Sequence, residues 1–154
     1  MRYGAPTVGR RCVRYTRSVA TTLEIHKREK EGILILDLKG RLVVGEPSVR
    51  LRETLTEEMA QSARRVILNL DGVEYIDSTG LGSMVICFTG MQKAGGALKL
   101  MKLNRRNVEL LVLTKLSTVF EVFGEEQDAV NSFFPERELK RFDILSFVQQ
   151  ENKG

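Results

Sequence analysis

Between residues 65 and 96 a short apolar run is joined to a longer apolar-periodic one through a corner of small polar residues, and few architectures accept that order. Arg65-Val66-Ile67-Leu68-Asn69-Leu70 is rich in β-branched and apolar residues, the pattern of a strand covered on both faces. Asp71-Gly72 predicts a turn that stops it. A parallel sheet is the natural setting for such a strand. Downstream, Leu81, Met84, Val85, Phe88 and Met91 recur at helical spacing, the stripe of a helix lying on that sheet, and Gly95-Gly96 supplies its end.

Asp77-Ser78-Thr79-Gly80 therefore falls where strand gives way to helix. The Ser78 and Thr79 hydroxyls are predicted at or beside a helix N-terminus, where backbone N–H groups lack partners and negative charge is favoured. One reading makes Ser78 or Thr79 the helix cap. Another starts from Gly80 and Gly82, two residues in the first turn that each disfavour a helix by about 1 kcal/mol relative to alanine. Residues without side chains let a phosphate or another molecule's backbone approach closely, and they equally allow tight packing of helix on strand.

The rest of the chain repeats the alternation. Thr22 to Arg28 and Gly32 to Leu38 read as a hairpin across the polar Glu29-Lys30-Glu31 turn. A helix opens around Glu46-Pro47-Ser48, with proline in its first turn and Leu51, Leu55 and Met59 on one face. Ala97 to Leu103 reads as a strand, Asn104 as the cap of a helix carrying Val108, Leu111, Val112 and Leu116, Thr118 to Phe123 as a short last strand, and Glu125 to Phe134 as a last helix. Strands alternating with helices imply a mixed or parallel sheet under helix cover, and 154 residues suit one domain without internal repeats.

Charge is distributed unevenly. Five arginines and no acid lie in the first 23 residues, so the remaining chain, with 20 acids against 19 basic residues, is nearly neutral in spite of the overall +4. This basic arm, residues 1–21, has three readings: a disordered tail meeting acidic partners or nucleic acid, a targeting segment, or an over-extended start with Val19 as the initiation site. The third is preferred, because the arm lacks a secretory h-region. Residues 135–154 form a charged tail with one apolar patch, Phe142 to Val148, able to make a short helix. Two unpaired cysteines, Cys12 and Cys87, fit a reduced cytoplasmic setting, with Cys87 as a small buried hydrophobe. No apolar run approaches a membrane span, and one histidine, His26, without a cysteine cluster argues against a zinc site.

The run from Leu68 to Gly82, Leu-Asn-Leu-Asp-Gly-Val-Glu-Tyr-Ile-Asp-Ser-Thr-Gly-Leu-Gly, resembles the signature of the STAS domain family, in particular the bacterial anti-sigma factor antagonists. Leu38-Lys39-Gly40-Arg41-Leu42 stands at the family's distance ahead of it, and the resemblance covers roughly Thr22 to Phe134. It implies a STAS-type mixed sheet of four to five strands packed by about four helices, in a domain at residues 22–134. It also implies a switch in transcription regulation and stress response rather than catalysis. In the family the serine directly after the aspartate is phosphorylated by an anti-sigma factor that is itself a serine kinase with a histidine-kinase-like ATP fold. By position that serine is Ser78, with the adjacent Thr79 as alternative. The unphosphorylated protein is expected to bind the anti-sigma factor and free a sigma factor, and a PP2C-type phosphatase resets the switch.

The partner surface so implied is Asp77, Ser78, Thr79, Gly80, Leu81 and Gly82 together with the loop after Gly40. Sporulation-type antagonists carry an aspartate three residues after the equivalent of Gly40; here that residue is Val43, and Glu46 is the candidate replacement contact. No cofactor, nucleic acid or membrane is expected, and no Walker-type loop is present, so any nucleotide belongs to the kinase partner. Two rivals stand beside the switch. An enzyme with Ser78 as nucleophile would need a base, yet Asp-Ser-Thr-Gly is not the G-x-S-x-G elbow and the lone histidine sits in a strand. A constitutive, non-phosphorylated interaction module in another regulatory or transport complex is the other.

Overall fold

The structure, a computed structural model, describes residues 23–137 and residue 144. The basic arm with Cys12 and Val19, and the apolar patch of the tail apart from Ile144, lie outside the described residues. The elements follow in the order β1 (Leu23–Lys30), β2 (Ile33–Leu42), α1 (Glu46–Ala60), β3 (Arg65–Ile76), α2 (Ser78–Lys93), β4 (Ala97–Met101), α3 (Arg105–Leu113), a 3-10 turn (Leu116–Thr118), β5 (Val122–Phe123) and α4 (Glu126–Asn131). They build one five-stranded sheet in the order β1-β2-β3-β4-β5. β1 is antiparallel to β2, and every other neighbouring pair is parallel.

The β1–β2 turn is tighter than the sequence predicts. Glu31 and Gly32, with φ of 54° and 81°, make a two-residue turn of the kind that matches strand twist, so β1 runs on through Lys30. Pro47 lies at the start of α1, as expected for a residue that has no N–H to satisfy there. At the far end of α2, Gly95 (φ 86°) and Gly96 return their N–H groups to the carbonyls of Gln92 and Met91, 3.0 and 2.9 Å away. That is a Schellman ending.

Strand alternation divides the core between two faces. Leu36, Leu38, Leu68, Leu70, Leu98 and Leu100 pack with Leu51 and Leu55 of α1, Met84 and Met91 of α2 and Leu111 of α3, and Ile144 rests partly buried against the same cluster. On the reverse face Ile33, Ile35, Ile67, Met101 and Phe123 meet Ala129 and Val130 of α4, flanked by Phe133 and Phe134. Each fully buried Leu, Ile, Val, Met or Phe among them contributes roughly 1.5–3 kcal/mol. Both faces being covered explains why the runs in β2 and β3 are continuously apolar.

Other boundaries differ from the sequence reading too: α3 ends at Leu113, leaving Leu116 in the 3-10 turn, and α4 ends at Asn131 short of Phe134. β3 does not stop at Asp71-Gly72 but continues to Ile76, because β2 stays alongside as far as Leu42 and two register shifts absorb the extra residues. Gly72 permits this: a Cβ there would lie 2.9 Å from the Leu38 carbonyl oxygen, so the strands can close up only around glycine. The strand expected over Thr118 to Phe123 shrinks to Val122–Phe123, Thr118 being the last residue of the 3-10 turn and residues 119–121 a turn leading out of it. The strand expected to Leu103 ends at Met101, just before Lys102 turns to φ 61°.

A candidate partner-binding corner at the start of α2

The extra length of β3 brings its end beside the end of β2, and Asp77 ties the two together. Its N–H donates to the Leu42 carbonyl at 3.2 Å. Its side chain caps α2: Oδ1 accepts from the Gly80 N–H at 2.7 Å, while Oδ2 accepts from the Val44 N–H at 2.9 Å. The cap is therefore Asp77 rather than Ser78 or Thr79, because only this carboxylate can reach the helix and the β2–α1 loop at once. On the other side of the loop, Ser48 Oγ donates to the Val43 carbonyl at 2.7 Å and Gly45 takes φ 98°, so both ends of Val43-Val44-Gly45 are fixed.

Ser78 and Thr79, the first two residues of α2, are released from capping and both are exposed. The glycines divide their roles. A Cβ on Gly80 would fall 2.1 Å from the Leu42 carbonyl oxygen, whereas one on Gly82 would meet nothing within 4 Å. Gly80 is thus the close approach of helix to strand, and Gly82 leaves open surface beside Ser78. Leu81 points into the core at 5% exposure, so of the predicted surface residues it and Gly80 turn inward. Val43 is half-buried; Glu46 is exposed and pairs with Arg50 at 3.3 Å.

Two apolar side chains add to this surface that the sequence reading did not single out. Val44, at the tip of the loop, is 64% exposed, and Ile86 is 59% exposed. Ser78, Gly82 and Ile86 follow at four-residue steps and share one face of α2. Ile86 was detectable as an aliphatic residue lying off the helix stripe. Val44 was not, since a valine doublet at a strand end reads as more strand.

The chemistry available at the corner is hydroxyl and backbone. His26, the one histidine, lies on β1 with 69% of its side chain exposed, 3.4 Å from Glu24. Its register partner Asp37 is five residues up β2 from Leu42, roughly 16 Å away along the strand, so Ser78 has no imidazole base beside it. Among the described residues no group of three or more His, Cys, Asp or Glu could hold a metal ion, and no helix is long and apolar enough to cross a membrane. Cys87 is buried in α2, and burial pushes its thiol up to about 11, far from thiolate reactivity.

A sheet covered on both faces, with its hydroxyl-bearing corner at the carboxyl end of two adjacent parallel strands, is an α/β module of STAS type. The chain belongs to the STAS domain family, whose model matches residues 24–129. It is 30% identical over 108 residues to the anti-sigma-B factor antagonist of Bacillus subtilis (strain 168), covering 70% of this chain and 97% of that protein. The fold is that of an anti-sigma factor antagonist from Mycobacterium paratuberculosis, with a TM-score of 0.64 at 17% identity over 73% of this chain and 94% of the other. It is also that of the anti-sigma factor antagonist SpoIIAA in its unphosphorylated form, with a TM-score of 0.64 at 14% identity, covering 75% of this chain and all of that one.

Proposed function

We infer that this protein is a cytoplasmic bacterial anti-sigma factor antagonist that binds an anti-sigma factor with serine kinase activity while Ser78 is unphosphorylated, freeing a sigma factor, and that a PP2C-type phosphatase restores it. The observation that carries this reading is Ser78 itself: an exposed hydroxyl at the first residue of α2, next to a cap whose two oxygens are already committed. The relative named an anti-sigma-B factor antagonist supports the partner class. Working units on this reading are an arm at 1–21, the STAS domain at 22–134 and a tail at 135–154.

The physics of the switch is local. Unmodified, the surface of Ser78, Thr79, Gly82 and Val44 is small and uncharged, and a partner loop can lie across it. A phosphate on Ser78 adds about −1.5 to −2 charge and three acceptor oxygens. A helix N-terminus accommodates that charge, so the fold survives, while a partner shaped for the neutral corner meets the Asp77 carboxylate and the phosphate together. Ser78→Ala is expected to bind the anti-sigma factor as the unmodified protein does, and Ser78→Asp at least ~10-fold more weakly, about 1.4 kcal/mol, by calorimetric titration. Equal affinity of the two variants overturns the switch. Phosphopeptide mass spectrometry across growth and stress conditions decides between Ser78 and Thr79 as acceptor.

Val43 favours a second reading, a constitutive STAS interaction module, because it leaves the loop flanking Ser78 without a carboxylate at that position. Absence of phosphate from both hydroxyls under every condition selects this one.

A further inference from the structure

Three side chains from three elements meet at the carboxyl end of the sheet, outside the corner just described. Arg41, the penultimate residue of β2, is in register with Tyr75 near the end of β3, and Arg106 comes from the first turn of α3. The guanidinium carbons of Arg41 and Arg106 lie 5.7 and 5.6 Å from the centre of the Tyr75 ring. Both arginines are exposed, and Tyr75 is half-buried. Arg28, Arg50, Arg105 and Arg137 each have a carboxylate in ion-pair range. Among the described residues Arg41 and Arg106 have none, and neither do Arg52, Arg64 and Arg65, but of these five only Arg41 and Arg106 share one ring.

Holding two unneutralised guanidiniums on one ring costs stability. They repel each other, and the first turn of α3 carries no acid and places Arg106 where the helix dipole disfavours a cation. An excess of charge along the chain does not account for it, because residues 24–154 are nearly neutral. Each ring contact orients a guanidinium while leaving its planar N–H fork free, and such a fork matches a carboxylate in bidentate fashion. The cluster also shares its rim with the corner: Tyr75 precedes Ser78 by three residues, and Arg41 precedes Leu42, whose carbonyl receives the Asp77 N–H.

We propose that the Arg41–Tyr75–Arg106 cluster is the docking point for a short acidic segment of the protein's partner. That the partner is an anti-sigma factor rests on the function inferred above; the match of the cluster to acidic peptide does not. A nucleic-acid backbone is the less suited anion, since it calls for an extended row of cations. Here only two cations share the ring, on a nearly neutral domain.

The test is residue-resolved NMR on the full 15N-labelled chain, titrated with hexaglutamate, hexaglutamine and a hexathymidylate oligonucleotide. Hexaglutamate is expected to shift the signals of Arg41, Tyr75 and Arg106 in a salt-dependent way, and hexaglutamine to leave them unmoved. The double variant Arg41→Gln, Arg106→Gln should melt no lower than the unmodified protein and bind hexaglutamate about tenfold more weakly, the loss expected for charge-assisted contacts at an exposed site. Shifts centred on other arginines, undiminished binding by the double variant, or tighter binding of the oligonucleotide at these three residues would each overturn the proposal. The two readings fail separately. Equal partner affinity of the Ser78→Ala and Ser78→Asp proteins removes the switch and leaves hexaglutamate binding intact, whereas an unresponsive cluster removes the docking point and leaves the switch.

Discussion

At Gly80 and Gly82 two residues of the same type, two positions apart, answer to different physics. A methyl group at Gly80 would sit 2.1 Å from the Leu42 carbonyl oxygen, which already accepts the Asp77 N–H, so neither backbone can yield without breaking the joint between β2 and α2. Gly80→Ala is expected to destabilise the protein by about 3 kcal/mol, at the upper end of overpacking costs, in urea denaturation. Gly82→Ala meets open space and removes a poor helix former, so stability should rise by up to about 1 kcal/mol while partner affinity falls. From sequence the two glycines are indistinguishable, since both only say that side chains are unwelcome. The cap was ambiguous for a related reason. Asp, Ser and Thr all cap well, and what selects Asp77 is the Val44 N–H, a group 33 residues away in the chain.

The helices were legible from their stripes, and the middle of β3 was not. Val66 to Leu70 announces a buried strand, and Asp71-Gly72 announces a turn, yet the strand pairs on to Ile76 through two register shifts that no period-2 pattern reveals. α3 holds that irregular half in place. Asn104, visible in sequence as a cap, accepts from the Asn107 N–H at 2.8 Å and donates its amide to the Val73 and Glu74 carbonyls at 3.2 Å. Asn107, which sequence left unremarked, is buried and donates to the Val73 carbonyl at 3.1 Å. An asparagine on the inner side of a helix was the available signal. Asn107→Ala strips a buried carbonyl of one donor and should cost about 1–3 kcal/mol. Faster amide exchange confined to residues 73–77, next to Ser78, would be its local signature.

Across the whole molecule, the reverse face of the sheet is bound together by charge as well as by its apolar cluster. Arg28 of β1 donates to Asp37 of β2 at 2.6 Å and to Glu126 of α4 at 2.6 Å, and Asn69 of β3 donates to Asp37 at 2.7 Å. Burial pushes the Asp37 carboxyl up, but the hydrogen bonds from Arg28 and Asn69 outweigh it and hold the group below its ordinary value; the bond from Arg28 does the same for Glu126. Both groups titrate lower folded than unfolded, so their contribution is complete above the unfolded carboxylate range and disappears as pH falls through the folded values. Stability to urea should be flat in these terms from pH 7 to about 5, decline below about 4, and decline less in Asp37→Asn. The partial exposure of the network limits each pair to about 1 kcal/mol or less. Distance along β2 carries a practical consequence. The Glu31-Gly32 turn and the Arg137–Glu31 pair occupy the end of the ten-residue strand away from the β2–α1 loop, roughly 30 Å from it at strand rise. A tether or fused reporter placed at that turn holds the molecule by its far pole, and the rim carrying Val44, Ser78 and Arg41 is then presented outward to whatever arrives from solution.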